Sequence, residues 1–159
     1  MRNFRKFKGL LLVVLIFLVL SSGKTVLAGE IILNNLNGKA VNLSNYKGKP
    51  AIMFFWTTWC PYCRKEIKAL NQLYPQLKKE GITVFAVNIG ESDYKVKRFF
   101  KDYLLNFNVL LDKEAKLADK YNVIGVPTYI LLDKTGQLVS QENKLPLNYK
   151  GLLFKQTEK

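Results

Sequence analysis

The chain contains no histidine at all. That absence removes His-dependent nucleophile triads, His-ligated haem, most catalytic zinc and copper sites of His/Cys type. Cysteine is nearly absent too: two in 159 residues, too few for a disulfide scaffold or for a four-thiolate zinc site within one chain. Acids are scarce, with 12 Asp and Glu against 25 Lys and Arg and a formal net charge of +13. None precedes Gly29, whereas Arg2, Arg5, Lys6, Lys8 and Lys24 all do; these five account for five of the +13 and leave +8 beyond them. Such an excess suits anionic lipid, a cell-wall polymer or nucleic acid. The lysines are scattered, however, without an Arg-rich helix or aromatic-basic interleaving, so nucleic-acid binding is not expected. No repeat or low-complexity linker divides the chain. Its length and 48% hydrophobic content give one globular domain with a short appendage.

The appendage is Met1 to Ala28. Four cations in the first nine residues precede an unbroken apolar run, Leu10 to Leu20, followed by Ser21-Ser22-Gly23. This is the order of a cationic and then an apolar region in an export signal. As a helix the run reaches roughly 16 Å, short of the roughly 30 Å hydrocarbon core of a bilayer. Cleavage after Val26-Leu27-Ala28 would leave Gly29 as the mature terminus; an uncleaved anchor completed by Ser, Gly and a snorkelling Lys24 is the other reading. Either way the cationic end stays cytoplasmic and residues 29–159 are placed on the far side of the membrane, anchored or released.

Within 29–159, Ile31–Leu33 and Lys39–Leu43 flank Asn37-Gly38, a dipeptide suited to the two positive φ angles of a tight hairpin. Ala51–Trp56 is continuously apolar and predicts a strand buried on both faces. From Pro61, the residues Ile67, Leu70, Leu73, Tyr74 and Leu77 recur at helical spacing, with Pro75 expected to kink the helix and Gly81 to end it. A strand over Ile82–Ile89 follows. Next comes a helix capped by Ser92 or Asp93 and carrying Val96, Phe99, Phe100 and Tyr103, then a strand over Phe107–Leu111. Asp112 is expected to cap a short helix through Tyr121. Thr128–Leu132 and Gln137–Val139 form a last hairpin around Asp133-Lys134-Thr135-Gly136, and Leu147–Phe154 is a candidate closing helix. The pattern predicts an α/β fold, a mixed central sheet covered by helices on both faces.

The two cysteines, Cys60 and Cys63, sit where the buried strand gives way to a helix. Three residues apart on a helix, their sulfurs can close a disulfide with little backbone movement. Cys60 falls at the N-cap and Pro61 at the first helical position, where the missing N–H costs nothing. Unpaired amides and the positive helix end stabilise a thiolate there, bringing its pKa into the roughly 3.5–7.5 range of activated cysteines. Cys60 is the expected nucleophile and Cys63 the resolving thiol. A purely structural bridge would close a four-residue loop and contribute only about 2 kcal/mol.

Trp56-Thr57-Thr58-Trp59-Cys60-Pro61-Tyr62-Cys63, with Val126-Pro127-Thr128, resembles the thioredoxin superfamily, specifically its TlpA/ResA-like membrane-linked branch. The likeness covers Ile31 to about Val139. It extends to the lead-in hairpin at Asn37-Gly38 with Leu43-Ser44, and to a helix-strand insertion from Val87-Asn88-Ile89-Gly90-Glu91-Ser92 to Leu111-Asp112. The resemblance implies the thioredoxin fold with an N-terminal hairpin and that central insertion. It implies disulfide exchange outside the cytoplasm, often reduction of apocytochrome c, with electrons from a CcdA-like membrane protein. It further implies a cis Val126–Pro127 bond and a peptide groove formed by Trp59, Pro61, Tyr62, Val126, Pro127 and Thr128. Glu66, three residues past Cys63, stands where the branch has a proton-handling carboxylate; read alone, it is equally a surface acid among Arg64, Lys65 and Lys68. Two positions depart from the pattern. Phe54 stands where thioredoxin has a buried acid, and Pro61-Tyr62 is a glutaredoxin-like order.

The leading expectation is a monomeric reductant of exported disulfides needing no cofactor and no metal. An oxidant of exported thiols is the nearest alternative. A peroxidase using Thr57-Thr58-Trp59-Cys60 and a Cu(I)-binding dithiol are weaker ones.

Overall fold

A computed structural model describes residues 31–101 and 105–155. The expectations for Met1–Ala28 and for Tyr103 lie outside the described residues. The chain opens with β1 (Ile32–Asn35) and β2 (Ala40–Asn42), then a 3-10 turn over Leu43–Tyr46. β3 (Ala51–Trp56), α1 (Pro61–Lys79) and β4 (Thr83–Ile89) follow, then α2 (Asp93–Phe99), β5 (Asn108–Asp112) and α3 (Lys116–Lys120). β6 (Thr128–Leu132), β7 (Leu138–Glu142) and α4 (Tyr149–Leu153) complete it. Seven strands form one sheet in the order β2-β1-β5-β4-β3-β6-β7. β3 runs parallel to β4 and β4 to β5, while β6 lies antiparallel to β3 and the hairpin β1–β2 antiparallel to β5. This is the expected mixed sheet, with the insertion α2–β5 between its centre and the lead-in hairpin.

Every residue of β3 is buried, so its alternation serves two cores. Ile52, Phe54 and Trp56 face Ile67, Leu70 and Leu77 of α1, together with both cysteines. Met53 and Phe55 face Leu117 and Ala118 of α3, with Phe85, Leu110 and Ile130. Each fully buried Phe, Ile or Leu contributes about 1.5–3 kcal/mol, so the strand leading into the dithiol is held from both sides of the sheet.

Two local expectations need correction. The first hairpin is not a two-residue turn: only Gly38 takes positive φ there, at +78°. Asn35 N–H donates to Lys39 O at 2.9 Å and Gly38 N–H to Asn35 O at 3.0 Å, leaving a three-residue connection. The Asn35 side chain decides this, because its Oδ1 accepts from the amides of both Asn37 and Lys39 at 3.0 Å. Asp112 does not stand at the N-cap of α3, a place taken by Ala115 with φ +56°. Its carboxylate instead reaches from the end of β5 to the amides of Leu117 (3.2 Å) and Ala118 (2.8 Å), satisfying the same orphan donors from a distance. As expected, α1 runs through Pro75 to Lys79 and gives way at Gly81, φ +76°.

Candidate active site

α1 begins at the C-terminal end of β3, and Cys60 is its N-cap. Extended backbone there (φ −82°, ψ 111°) turns the Cys60 sulfur over the first helical turn, where Sγ accepts the amide of Cys63 at 3.1 Å. Pro61 occupies the first helical position. Cys60 and Cys63 form a disulfide, their Cα atoms 5.3 Å apart. Cys63 is fully buried and Cys60 keeps 4% of its surface exposed, just beneath exposed Trp59 and Tyr62. The Val126 carbonyl oxygen lies 3.8 Å from Cys60 Sγ and can accept from the thiol once the bridge is reduced.

The Val126–Pro127 peptide is cis. Gly125, Val126 and Pro127 face Tyr62, Glu66, Asn143 and Lys144 across a cleft of about 310 Å³. Glu66 also borders a second, more apolar cavity of about 370 Å³ with Leu73, Leu145 and Tyr149. Thr128 does not line the cleft; it is buried and its hydroxyl donates to Gly125 O at 2.7 Å, bracing the turn.

Glu66 is half-buried and engaged: Oε2 accepts from the Tyr129 hydroxyl at 2.9 Å. Tyr129 pairs in register with Phe54 on β3 and stacks against it, ring centroids 4.8 Å apart. Burial, and then the Glu66 carboxylate, push the Tyr129 phenol well above its ordinary value, so it remains a donor. The apolar residue at position 54 therefore seats the tyrosine that holds Glu66 one helical turn beyond Cys63. Replacing Glu66 with Gln should slow exchange about tenfold, below the range of a direct general acid, and flatten its pH dependence. Identical pH-rate profiles for the two proteins would reduce Glu66 to a structural acid.

Two further side chains hold the turn that presents Cys60, and spacing alone signals neither. Glu91, from the insertion, accepts the Thr58 amide at 2.7 Å, the Thr58 hydroxyl at 2.8 Å and the Asn88 amide at 2.8 Å. Lys95 pairs with it at 2.6 Å. Burial alone would raise the Glu91 carboxyl, but donation from Asn88, Lys95 and Thr58 outweighs it and holds the group below the usual range. Arg64 folds back from α1, donating from Nε (3.2 Å) and Nη2 (3.0 Å) to the Thr58 carbonyl while lying over the Phe99 ring. The Thr58 peptide thus meets a carboxylate on its N–H side and a guanidinium on its C=O side. In the sequence, Glu91 belonged only to a family-like string and Arg64 only to a group of surface cations. Among the described residues no cluster of candidate ligands could hold a metal ion.

A nucleophile at a helix start, a buried partner one turn later and a cis-proline loop beside them can form and resolve a mixed disulfide. The comparisons with known proteins agree. The curated "Thiol-disulfide oxidoreductase ResA" of Bacillus thuringiensis subsp. konkukian is 39% identical over 114 residues, covering 72% of this chain and 66% of that protein. The match thus spans just under two thirds of the relative's length. The crystal structure of StoA from Bacillus subtilis aligns with TM-score 0.63 and 27% identity over 72% of this chain and 87% of that one. The pneumococcal exposed lipoprotein thioredoxin Etrx1 of Streptococcus pneumoniae aligns with TM-score 0.67 and 26% identity over 80% and 97%. These structures carry the thioredoxin fold seen here, and since residues 26–141 match the AhpC/TSA family across most of the domain, the chain belongs to that family.

Proposed function

We propose that this protein is a thiol-disulfide oxidoreductase that works outside the cytoplasm and reduces disulfides in exported proteins, apocytochrome c among the candidates. The observation that carries this reading is the Cys60 sulfur at the N-cap of α1, accepting the Cys63 amide and bridged to the buried Cys63. The relatives named as thiol-disulfide oxidoreductases support it. The cleft beside Val126 and Pro127 suits an extended peptide whose cysteine approaches Cys60. The export reading rests on the cationic-apolar order of residues 1–28. No helix among the described residues is long and apolar enough to cross a membrane; in this reading the tether is residues 1–28. Continual reduction would require a membrane electron donor of CcdA-like type, and the domain is taken to act as a monomer.

Direction follows from the potential. Strong oxidants over-stabilise their reduced form with a very acidic thiolate, and Pro61-Tyr62 adds no charge between the cysteines. The helix start still favours the thiolate. A potential of roughly −270 to −200 mV is expected, between thioredoxin-like and glutaredoxin-like values. Equilibrating the protein in graded thiol/disulfide buffers and counting free thiols measures it. A value near roughly −120 mV, with rapid oxidation of reduced client proteins, would replace the reductant with the oxidase.

A further inference from the structure

The two ends of the domain carry their charge differently. β3 and β4 run side by side toward the dithiol, so Lys47, Lys49 and the start of β4 lie at the opposite end. α1 returns to that end, finishing at Lys78-Lys79, and the β6–β7 turn carrying Lys134 closes beside it, because Leu132 of β6 pairs with Ala51 of β3. Two hydrogen bonds tie these pieces: Gly48 N–H to Lys134 O at 3.0 Å and Thr83 N–H to Pro50 O at 2.9 Å. Lys47, Lys49, Lys78, Lys79 and Lys134 are all exposed, and none forms an ion pair among the described residues. The acids nearby are already engaged. Glu80 is taken by Lys150 at 2.6 Å, and Asp133 accepts from Thr135 and Gln137 inside its own turn. Around α2, by contrast, the lysines are paired: Lys95 with Glu91, and Lys97 and Lys113 with Asp93.

A second observation gives this lysine group a partner. Ile31, where the described chain begins, lines one cavity together with Lys47 and Lys49. Residues 1–30, which bear the apolar run Leu10–Leu20, therefore join the body at a residue that lines the same cavity as two of these lysines. We propose that this end docks on the surface of a bilayer through anionic phospholipid headgroups, which holds the dithiol, at the other end of the 19-residue α1, roughly 28 Å above the lipid. The proposal rests on the export and tether reading of residues 1–28. Each lysine within reach of an anionic surface strengthens attachment about fivefold, and molar salt removes the effect.

The test adds the full-length chain to phosphatidylcholine vesicles with or without phosphatidylglycerol and follows acetylation of individual lysines by mass spectrometry. Lys47, Lys49 and Lys134 should react about fivefold more slowly on the anionic vesicles at low salt, with the difference gone in molar salt. Lys65 and Lys144, at the dithiol end, should react alike on both. K47Q/K49Q/K134Q should lose the anionic preference at Lys78 and Lys79 too. Equal rates on both vesicle types, or equal protection at both ends, would overturn the proposal. So would protection by a soluble glycerol phosphate polymer but not by anionic vesicles, which would assign the surface to wall polymer. Flotation with neutral vesicles reports separately on the tether: if the chain fails to float, that reading fails, while the lipid-charge footprint still decides the docking.

Discussion

Cys60→Ser should exchange no disulfides above the uncatalysed background, while Cys63→Ser should still attack and then accumulate as a mixed disulfide with its substrate. The two positions differ in what the fold does for each sulfur. Cys60 Sγ receives the Cys63 amide and sits at the positive end of α1, both of which favour its thiolate. Cys63 is fully buried among Ile52, Phe54 and Ile67, where desolvation disfavours charge. Attack therefore belongs to the outer sulfur and resolution to the inner one. Alkylation of the reduced protein near neutral pH, followed by peptide mapping, checks the assignment. Faster labelling of Cys63 than of Cys60 would reverse it.

Glu91→Ala should cost about 3 kcal/mol of stability, because it leaves the Thr58 amide and hydroxyl and the Asn88 amide buried without their acceptor. In a domain of this size that lowers the melting midpoint by about 10 °C. Exchange should slow as well, since the Thr58 turn positions Cys60. Glu91→Gln keeps one acceptor oxygen and should fall between the two. The carboxylate also sets a pH dependence. Its folded value lies below the ordinary one, so its stabilisation is complete above the unfolded pKa of about 4.3 and is lost as pH falls through the folded value. Urea unfolding from neutral pH down to the acid limit should show wild type losing more stability than Glu91→Gln below about pH 4. Parallel curves would mean that the carboxylate is not carrying that charge in the native state.

Much of the scaffold was legible because its signals are local. β3 reads from one continuous apolar run, the core face of α1 from three- and four-residue spacing, and the Cys60 cap with Pro61 behind it from capping chemistry alone. Ser92 caps α2 through its hydroxyl to the Lys95 amide, one of the two residues expected to do so. What escaped depends on partners far apart in the chain. Glu66 and Tyr129 are 63 residues apart, and Glu91 and Thr58 are 33 apart. Neither acid has a spacing that announces its donor. The first hairpin failed differently: Asn37-Gly38 is a good tight-turn pair, but Asn35 two residues earlier offers a competing acceptor and widens the loop. Phe54 looked like a lost proton acceptor, yet its ring packs against the tyrosine that reaches Glu66.

The sheet order has a consequence for motion. The dithiol follows β3, an inner strand hydrogen-bonded on both edges, between β4 and β6, with a core on each face. Backbone in such a place opens only when the whole domain opens, whereas edge elements such as β2 and β7 can fray alone. Loosening at the outer strands therefore leaves the position of Cys60 intact, and a client protein that pulls on the mixed disulfide works against the most cooperative part of the molecule.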